Sequence, residues 1–538
     1  MASHEQTRMH ELIRDSPPWW QSSKLVQLYF LLLPALLTSS AWGFDISMTN
    51  GLQSIPEFSK QFDNPEGSRL GFYGASSSIG GLCAVFIWPF FVDITGRRLL
   101  VFIGALLVVA MSIMETFSTS FYMFAAGKLL LGFGSLTSQI VAPVLVVELA
   151  HPKQRQAISS LYNTSLYIGL IIGAWIAYGT AGLSSTWAWR IPAILQTALP
   201  TYQVLTIWFC PESPRWLASR GRLQAAQDIL IKYHGQGRET DLVQFEIRKS
   251  SRALSRQLNR EGFRTVLSTR GNLHRLWMCA VTAIASQCCG SQLVANYLPQ
   301  ILDQVGFSST KEKTLMNGLI FIASWLSAIA AAFTIPYVPR RSVFLSSTGL
   351  MLVLFTIWTA LAAEYVKTSS KSIGIGVVAM VFLFNMTYCA CWVPLVIAYP
   401  LEIATTKQRA VFFCWVYICI NASSTAVTYI NPIGLQDISW RYYIIQTIFI
   451  ALVFIAIYFT FVETQGRDSF LDVSEANRRL TDCSAGYTLE EIAVLFDGQE
   501  SFDRAMVDVA VGVGKQMELD DGRKASVVAT ETVESKDA

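Results

Sequence analysis

Two charged residues, Asp45 and Lys128, stand inside otherwise apolar runs of this 538-residue chain, and they are the first candidates for chemistry. Desolvation favours a neutral carboxyl, whereas a neighbouring cation favours the carboxylate. A scaffold that alternates these surroundings around Asp45 would take up and release a proton. No histidine can share that task, because His4, His10, His151, His234 and His274 fall in termini or loops. The amides form a second group. Gln287 and Gln292 flank Gly290, and Asn296 follows. Amides both donate and accept, and inside a span they read as facing a polar pathway. On a continuous helix, five residues turn about 140° beyond a full revolution, so the three are not expected to share one narrow face. A third group occurs twice. Glu148 with Arg155 is echoed by Glu402 with Arg409, and Arg97-Arg98 by Arg340-Arg341. Trp189-Arg190 is echoed by Trp440-Arg441, and Glu212 with Arg215 by Glu463 with Arg467. Carboxylates set among guanidiniums at helix ends form pairs that close a mouth in one state and break in another.

The elements that hold these groups must live in lipid. Hydrophobic residues make up 52% and charged residues 15%, against about 25% charge in an ordinary soluble domain. That composition excludes a water-soluble enzyme of this size and disorder over most of the chain, and a net charge of +3 gives no field for nucleic acid. A spanning helix needs about 20 mostly apolar residues. Twelve stretches qualify: 26–47, 70–92, 99–118, 121–147, 160–181, 190–210, 275–300, 314–336, 342–363, 373–399, 410–432 and 440–462. Polar residues in the fourth and seventh read as facing a pathway. Glu115 and Glu364, near outer helix ends, are expected to be solvated. Basic residues crowd one set of loops, which places both termini and the central loop in the cytoplasm. The echoes indicate duplication. The expected organisation is an all-α membrane protein of twelve transmembrane helices in two pseudo-symmetric six-helix bundles. Its divisions are an N-terminal segment (1–25), a first bundle (26–210), a central loop (211–274), a second bundle (275–462) and a partly disordered tail (463–538). The central loop, basic in composition, suits contact with an anionic lipid surface. The cysteines fall in spans or on the cytoplasmic side, so no external disulfide is expected. No nucleotide loop, metal-ligand set or Ser/His/Asp constellation occurs, so no cofactor or metal is expected.

Several runs carry a resemblance. They are Gly43-Phe44-Asp45 continuing to Asn50-Gly51-Leu52-Gln53, Asp93-x-x-Gly96-Arg97-Arg98, Gly127-Lys128-x-x-x-Gly132-x-Gly134, Pro143-x-x-x-x-Glu148, Trp189-Arg190-Ile191-Pro192 with Gln196, Pro211-Glu212-Ser213-Pro214-Arg215-Trp216-Leu217, and Glu463-Thr464-Gln465-Gly466-Arg467. Across residues 25–470 the chain resembles the sugar porter family of the major facilitator superfamily, nearest its fungal lactose-permease-like branch.

The resemblance implies that superfamily's fold and a plasma-membrane transporter that moves a mono- or disaccharide by alternating access, with sugar and proton as its partners. It sets Lys128 where proton-coupled relatives place an arginine paired with the acid at Asp45. It implies substrate contacts at Gln287, Gln292, Asn296, Asn163 and Trp392, with Asn421 a further candidate, and it puts Ser324 where some relatives have asparagine. It implies a cytoplasmic gate of Asp93, Arg97, Arg98, Glu148, Arg155, Glu212, Arg215, Arg340, Arg341, Glu402, Arg409, Glu463 and Arg467. Pro336 and Pro339 replace the usual Asp and Gly, so the second half of the gate is expected to be weaker. That change and the Cys/Phe-rich tenth span motivate an alternative, export of a less polar metabolite. A non-transporting sugar receptor is a more distant one.

Overall fold

The buried Leu25, Leu28, Leu32 and Ala35 recur every three or four residues and build the inward stripe of the first crossing helix. Ser22 starts that helix by accepting the Leu25 N–H at 3.4 Å. A computed structural model describes residues 19–248, 266–267, 269–404 and 408–464. Arg467 and the remainder of the tail lie outside the described residues, as does the side chain of Asp93.

Numbered in chain order, the crossing units are α1 (Ser23–Leu52), α2 (Gly67–Thr95), α3 (Arg97–Thr116), α4 (Phe121–Leu149), α5 (Arg155–Thr180) and α6 (Trp187–Leu195 and Ala198–Thr206). They continue as α7 (Arg270–Cys288 and Ser291–Gln304), α8 (Thr310–Thr334), α9 (Arg340–Thr368), α10 (Lys371–Ile403), α11 (Arg409–Ile438) and α12 (Tyr442–Thr460). Among the described residues, ten helical runs are long and apolar enough to cross a bilayer. One of them, Val411–Thr460, holds two crossings divided at Ser439–Arg441. The twelfth crossing is α6, broken where Pro200 leaves the Gln196 carbonyl without its helical donor.

The packing repeats from one half to the other. In the first half α1 lies against α5, α2 and α3 against α4, and α3 against α6. In the second half α7 lies against α11, α8 and α9 against α10, and α9 against α12. The halves meet along α2 with α11 and α5 with α8, two contacts that a pseudo-twofold axis exchanges. The helices approach closely where side chains are smallest. A β-carbon on Gly169 would run into the Ser40 carbonyl, and one on Gly43 into that of Leu166, so α1 and α5 touch backbone to backbone.

α7 departs from a straight rod. Gly290 has φ of +86°, a conformation that costs other residues strain, and it divides Arg270–Cys288 from Ser291–Gln304.

Candidate functional site

Asp45, on α1, is buried in the first half. Lys128 of α4 holds its Oδ1 at 2.5 Å, and Gln196, at the break in α6, donates to the same oxygen at 2.8 Å. Ser77 of α2 donates to Oδ2 at 3.4 Å. The Lys128 ammonium also lies 5.9 Å from the ring centre of Tyr73. Three helices thus converge on one carboxylate, and each donor favours its charged form. Glu115 departs from the expectation of solvent contact. It is fully buried, because α4 closes over it at Gly127, where a β-carbon would stand 2.9 Å from the Glu115 Cγ.

The amides of α7 form a chain despite their spacing. Gln292 donates to the Gln287 side chain, and Asn296 donates to Gln292 Oε1 at 2.6 Å. A continuous helix would splay them, and the left-handed turn at Gly290 resets the angle so that they align. Gln287 ends on Ser286 Oγ at 2.8 Å, and the Asn296 carbonyl accepts from Gln53, the residue that caps the end of α1, at 2.8 Å. Beside this, Asn50 of α1 donates to Asn317 of α8 at 2.9 Å. Asn50 Oδ1, Gln53 Oε1 and Asn317 Nδ2 are buried with no partner among the described residues. The row therefore crosses between the halves and keeps spare donors and acceptors. Asn50, Gln53 and Asn317 had no assigned role from sequence; their amide chemistry inside spans was the available signal.

Other expected contacts lie apart from this row. Trp392 is fully buried with its ring edge-on to Phe344 at 5.1 Å, and its indole N–H has no partner among the described residues. Asn163 is exposed on α5. Asn421 donates to its own helix at the Tyr417 carbonyl, 2.9 Å away, with Oδ1 facing Gly81 of α2. Ser324 accepts from Asn385 at 2.7 Å.

The charged residues at one end build two matching latches. Glu212 accepts the backbone N–H groups of Arg97 at 3.1 Å and Arg98 at 3.2 Å, the first turn of α3. Glu463 accepts those of Arg340 at 2.8 Å and Arg341 at 3.1 Å, the first turn of α9. A carboxylate there satisfies donors the helix leaves free and meets the positive end of its dipole. The neighbours repeat as well. Ser213 donates to Glu148, and Thr464 donates to Glu402 at 2.7 Å. Arg97 lies 3.6 Å from Glu148, and Arg340 lies 3.3 Å from Glu402. The Arg98 side chain bonds the Trp208 carbonyl at 3.2 Å, and that of Arg341 bonds the Tyr458 carbonyl at 2.7 Å.

Pro339 precedes the first turn of α9, where its missing N–H removes no helical bond, so that proline leaves the second latch's hydrogen bonds in place. Arg155 does not pair with Glu148 but with Glu246, at 3.6 Å. Arg215 and Arg409 are exposed. The His234 ring bridges Glu246 at 2.6 Å and the Leu149 carbonyl at 3.1 Å, tying the segment after α6 to the end of α4.

The chain is similar over most of its length to known transporters. A family model described as sugar (and other) transporter matches residues 31–473. High-affinity glucose transporter 1 of Candida albicans is 24% identical over 473 residues, covering 82% of this chain and 85% of that protein. The inward open conformation of the xylose transporter XylE from E. coli superposes with a TM-score of 0.70 at 16% identity, covering 87% of this chain and all of that one. The proton:xylose symporter XylE bound to 6-bromo-6-deoxy-D-glucose superposes with a TM-score of 0.67 at 19% identity, covering 87% and 99%.

Proposed function

The chain belongs to the sugar transporter family, and from that premise we propose that it is a carrier, not an enzyme, which imports a mono- or disaccharide together with a proton by alternating access. The observation that carries this reading is the buried carboxylate of Asp45 held by Lys128, Gln196 and Ser77. A carboxylate so placed exchanges a proton when its partners move apart. The amide row from Gln287 through Gln292 and Asn296 to Gln53, with Asn50 and Asn317, supplies donors and acceptors for a polyol. Relatives whose names state glucose and xylose support a sugar cargo.

The halves are hydrogen-bonded at the amide row, from α1 to α7 and α8. The Arg97–Glu148 and Arg340–Glu402 pairs each stay within one half. This arrangement supports a state open on the latch side. In this reading that side is cytoplasmic, both termini lie there, the membrane is the plasma membrane, and the latches of Arg97, Arg98, Glu148, Glu212, Arg340, Arg341, Glu402 and Glu463 act as the gate. The two bundles span 26–210 and 275–462, joined by the central loop 211–274.

Uptake of labelled sugars in transporter-deficient cells, with and without an uncoupler, tests cargo and coupling together. Asp45→Asn is expected to abolish uphill accumulation while sustaining sugar exchange in part. Undiminished uphill uptake in that variant would remove the role given to Asp45.

A further inference from the structure

Glu115 is a second carboxyl beside the Asp45–Lys128 pair. It sits at the end of α3, fully buried, with neither carboxyl oxygen hydrogen-bonded among the described residues. Its Cγ lies against Gly127, the residue before Lys128 on α4, and Lys128, Asp45 of α1 and Tyr73 of α2 are the polar groups near enough to feel its charge. α6 also packs against α3. It brings the neutral Gln196 to Asp45, and its Arg190 lies over the Trp189 ring at 5.4 Å.

The charges then count simply. Two carboxylates and one ammonium would leave a net negative charge enclosed by protein, which is costly without a compensating partner. One proton makes the cluster neutral. Asp45 accepts three hydrogen bonds that suit its charged form, and Glu115 accepts none. The place for the proton is Glu115.

We propose that Glu115 is a proton-holding member of the coupling site, carrying the proton while Lys128 is paired with Asp45; this rests on the proton-coupled reading above. When Lys128 leaves Asp45 for Glu115, the proton passes from the Glu115 oxygen to an Asp45 oxygen. Bond for bond, one O–H breaks and one forms, and the cluster stays neutral. Asp45 is then the acid that meets the pathway, and Glu115 is the store behind it.

Two measurements on the full chain test this. In the infrared spectrum of the purified protein at neutral pH, a protonated-carboxyl C=O band sensitive to deuterium exchange is expected. Glu115→Gln should remove it and the conservative Glu115→Asp should keep it, whereas Asp45→Asn, which leaves Lys128 facing a single carboxylate, should remove it too. Survival of the band in Glu115→Gln overturns the proposal. In cells, a pH difference of about one unit sustains about tenfold accumulation per coupled proton. Glu115→Gln should lose that accumulation while retaining sugar exchange, which also shows that the variant folds, and Glu115→Asp should restore it. Accumulation and pH profile unchanged in Glu115→Gln overturn the proposal. Wild-type protein that accumulates no sugar under the pH difference would instead defeat the coupled reading, and the infrared band would still decide whether the cluster holds a proton.

Discussion

At the scale of single residues, the amide row sets the strongest expectation. Gln292 is its middle link, accepting from Asn296 and donating to Gln287. Gln292→Leu deletes both bonds and leaves the two neighbours facing an apolar side chain. Loss of a buried hydrogen-bonding partner costs about 1–3 kcal/mol, so apparent affinity for the transported sugar should fall by about fivefold or more. Concentration dependence of uptake checks this; a KM unchanged in the variant would take Gln292 out of the binding surface. What was readable at this scale depended on chemistry rather than position. Asp45 and Lys128 announced themselves as charges inside apolar runs, and they pair. Glu115 did not, because it lies one residue from the end of α3 and looks like a solvated terminus. Its burial is produced by α4 pressing in at Gly127, a tertiary contact with no local signature.

Among the elements, α7 has the most to reveal. Its left-handed turn at Gly290 aligns amides that helical periodicity would set apart, and a β-carbon there would meet Phe355 at 2.8 Å. Gly290→Ala would add strain of roughly 1–2 kcal/mol from the backbone alone, besides the contact with Phe355. The variant should reach the membrane with lowered thermal stability and a several-fold loss of transport, measured as uptake per unit of surface protein. A second expectation concerns α9. Glu463→Ala removes the acceptor for two N–H groups at its start and should lower the melting temperature of the purified protein by an amount corresponding to about 1 kcal/mol. Glu212→Ala should do the same at α3, since the geometry is shared. The crossings themselves were legible from hydropathy, because the bilayer imposes their length. The breaks in α6 and α7 were not. A glycine in a polar stretch is compatible with either a straight or a bent helix, and the choice is made by Phe355 and Phe384 packing around it.

For the molecule as a whole, the two bundles are joined on one side by the segment that His234 anchors. Burial alone would pull the His234 imidazolium down, but the Glu246 carboxylate and the bond to it outweigh that, so its pKa stands above the usual 6.5. The folded protein therefore binds this proton more tightly than the unfolded chain does. The stabilisation is complete below the ordinary histidine value and is lost as pH rises through the raised one. His151, with its ring 5.2 Å from that of His234, is pushed down to about 4, chiefly by burial and then by the charge of His234. Its contribution has the opposite sign and is lost as pH falls from 6.5 towards 4. Thermal unfolding across pH should show a maximum, and His234→Gln should lower it and flatten its alkaline side; an unaltered alkaline limb would mean that the anchor does not bear on stability. The two latches have a wider consequence. One begins its helix after Gly96 and the other after Pro339, residues with opposite backbone habits, and yet a carboxyl lies across the same pair of amides in both. Spelling can drift at such a junction for as long as an acid arrives from the far end of the bundle. Correspondence between the halves is therefore better traced by following which oxygen reaches which nitrogen than by aligning letters.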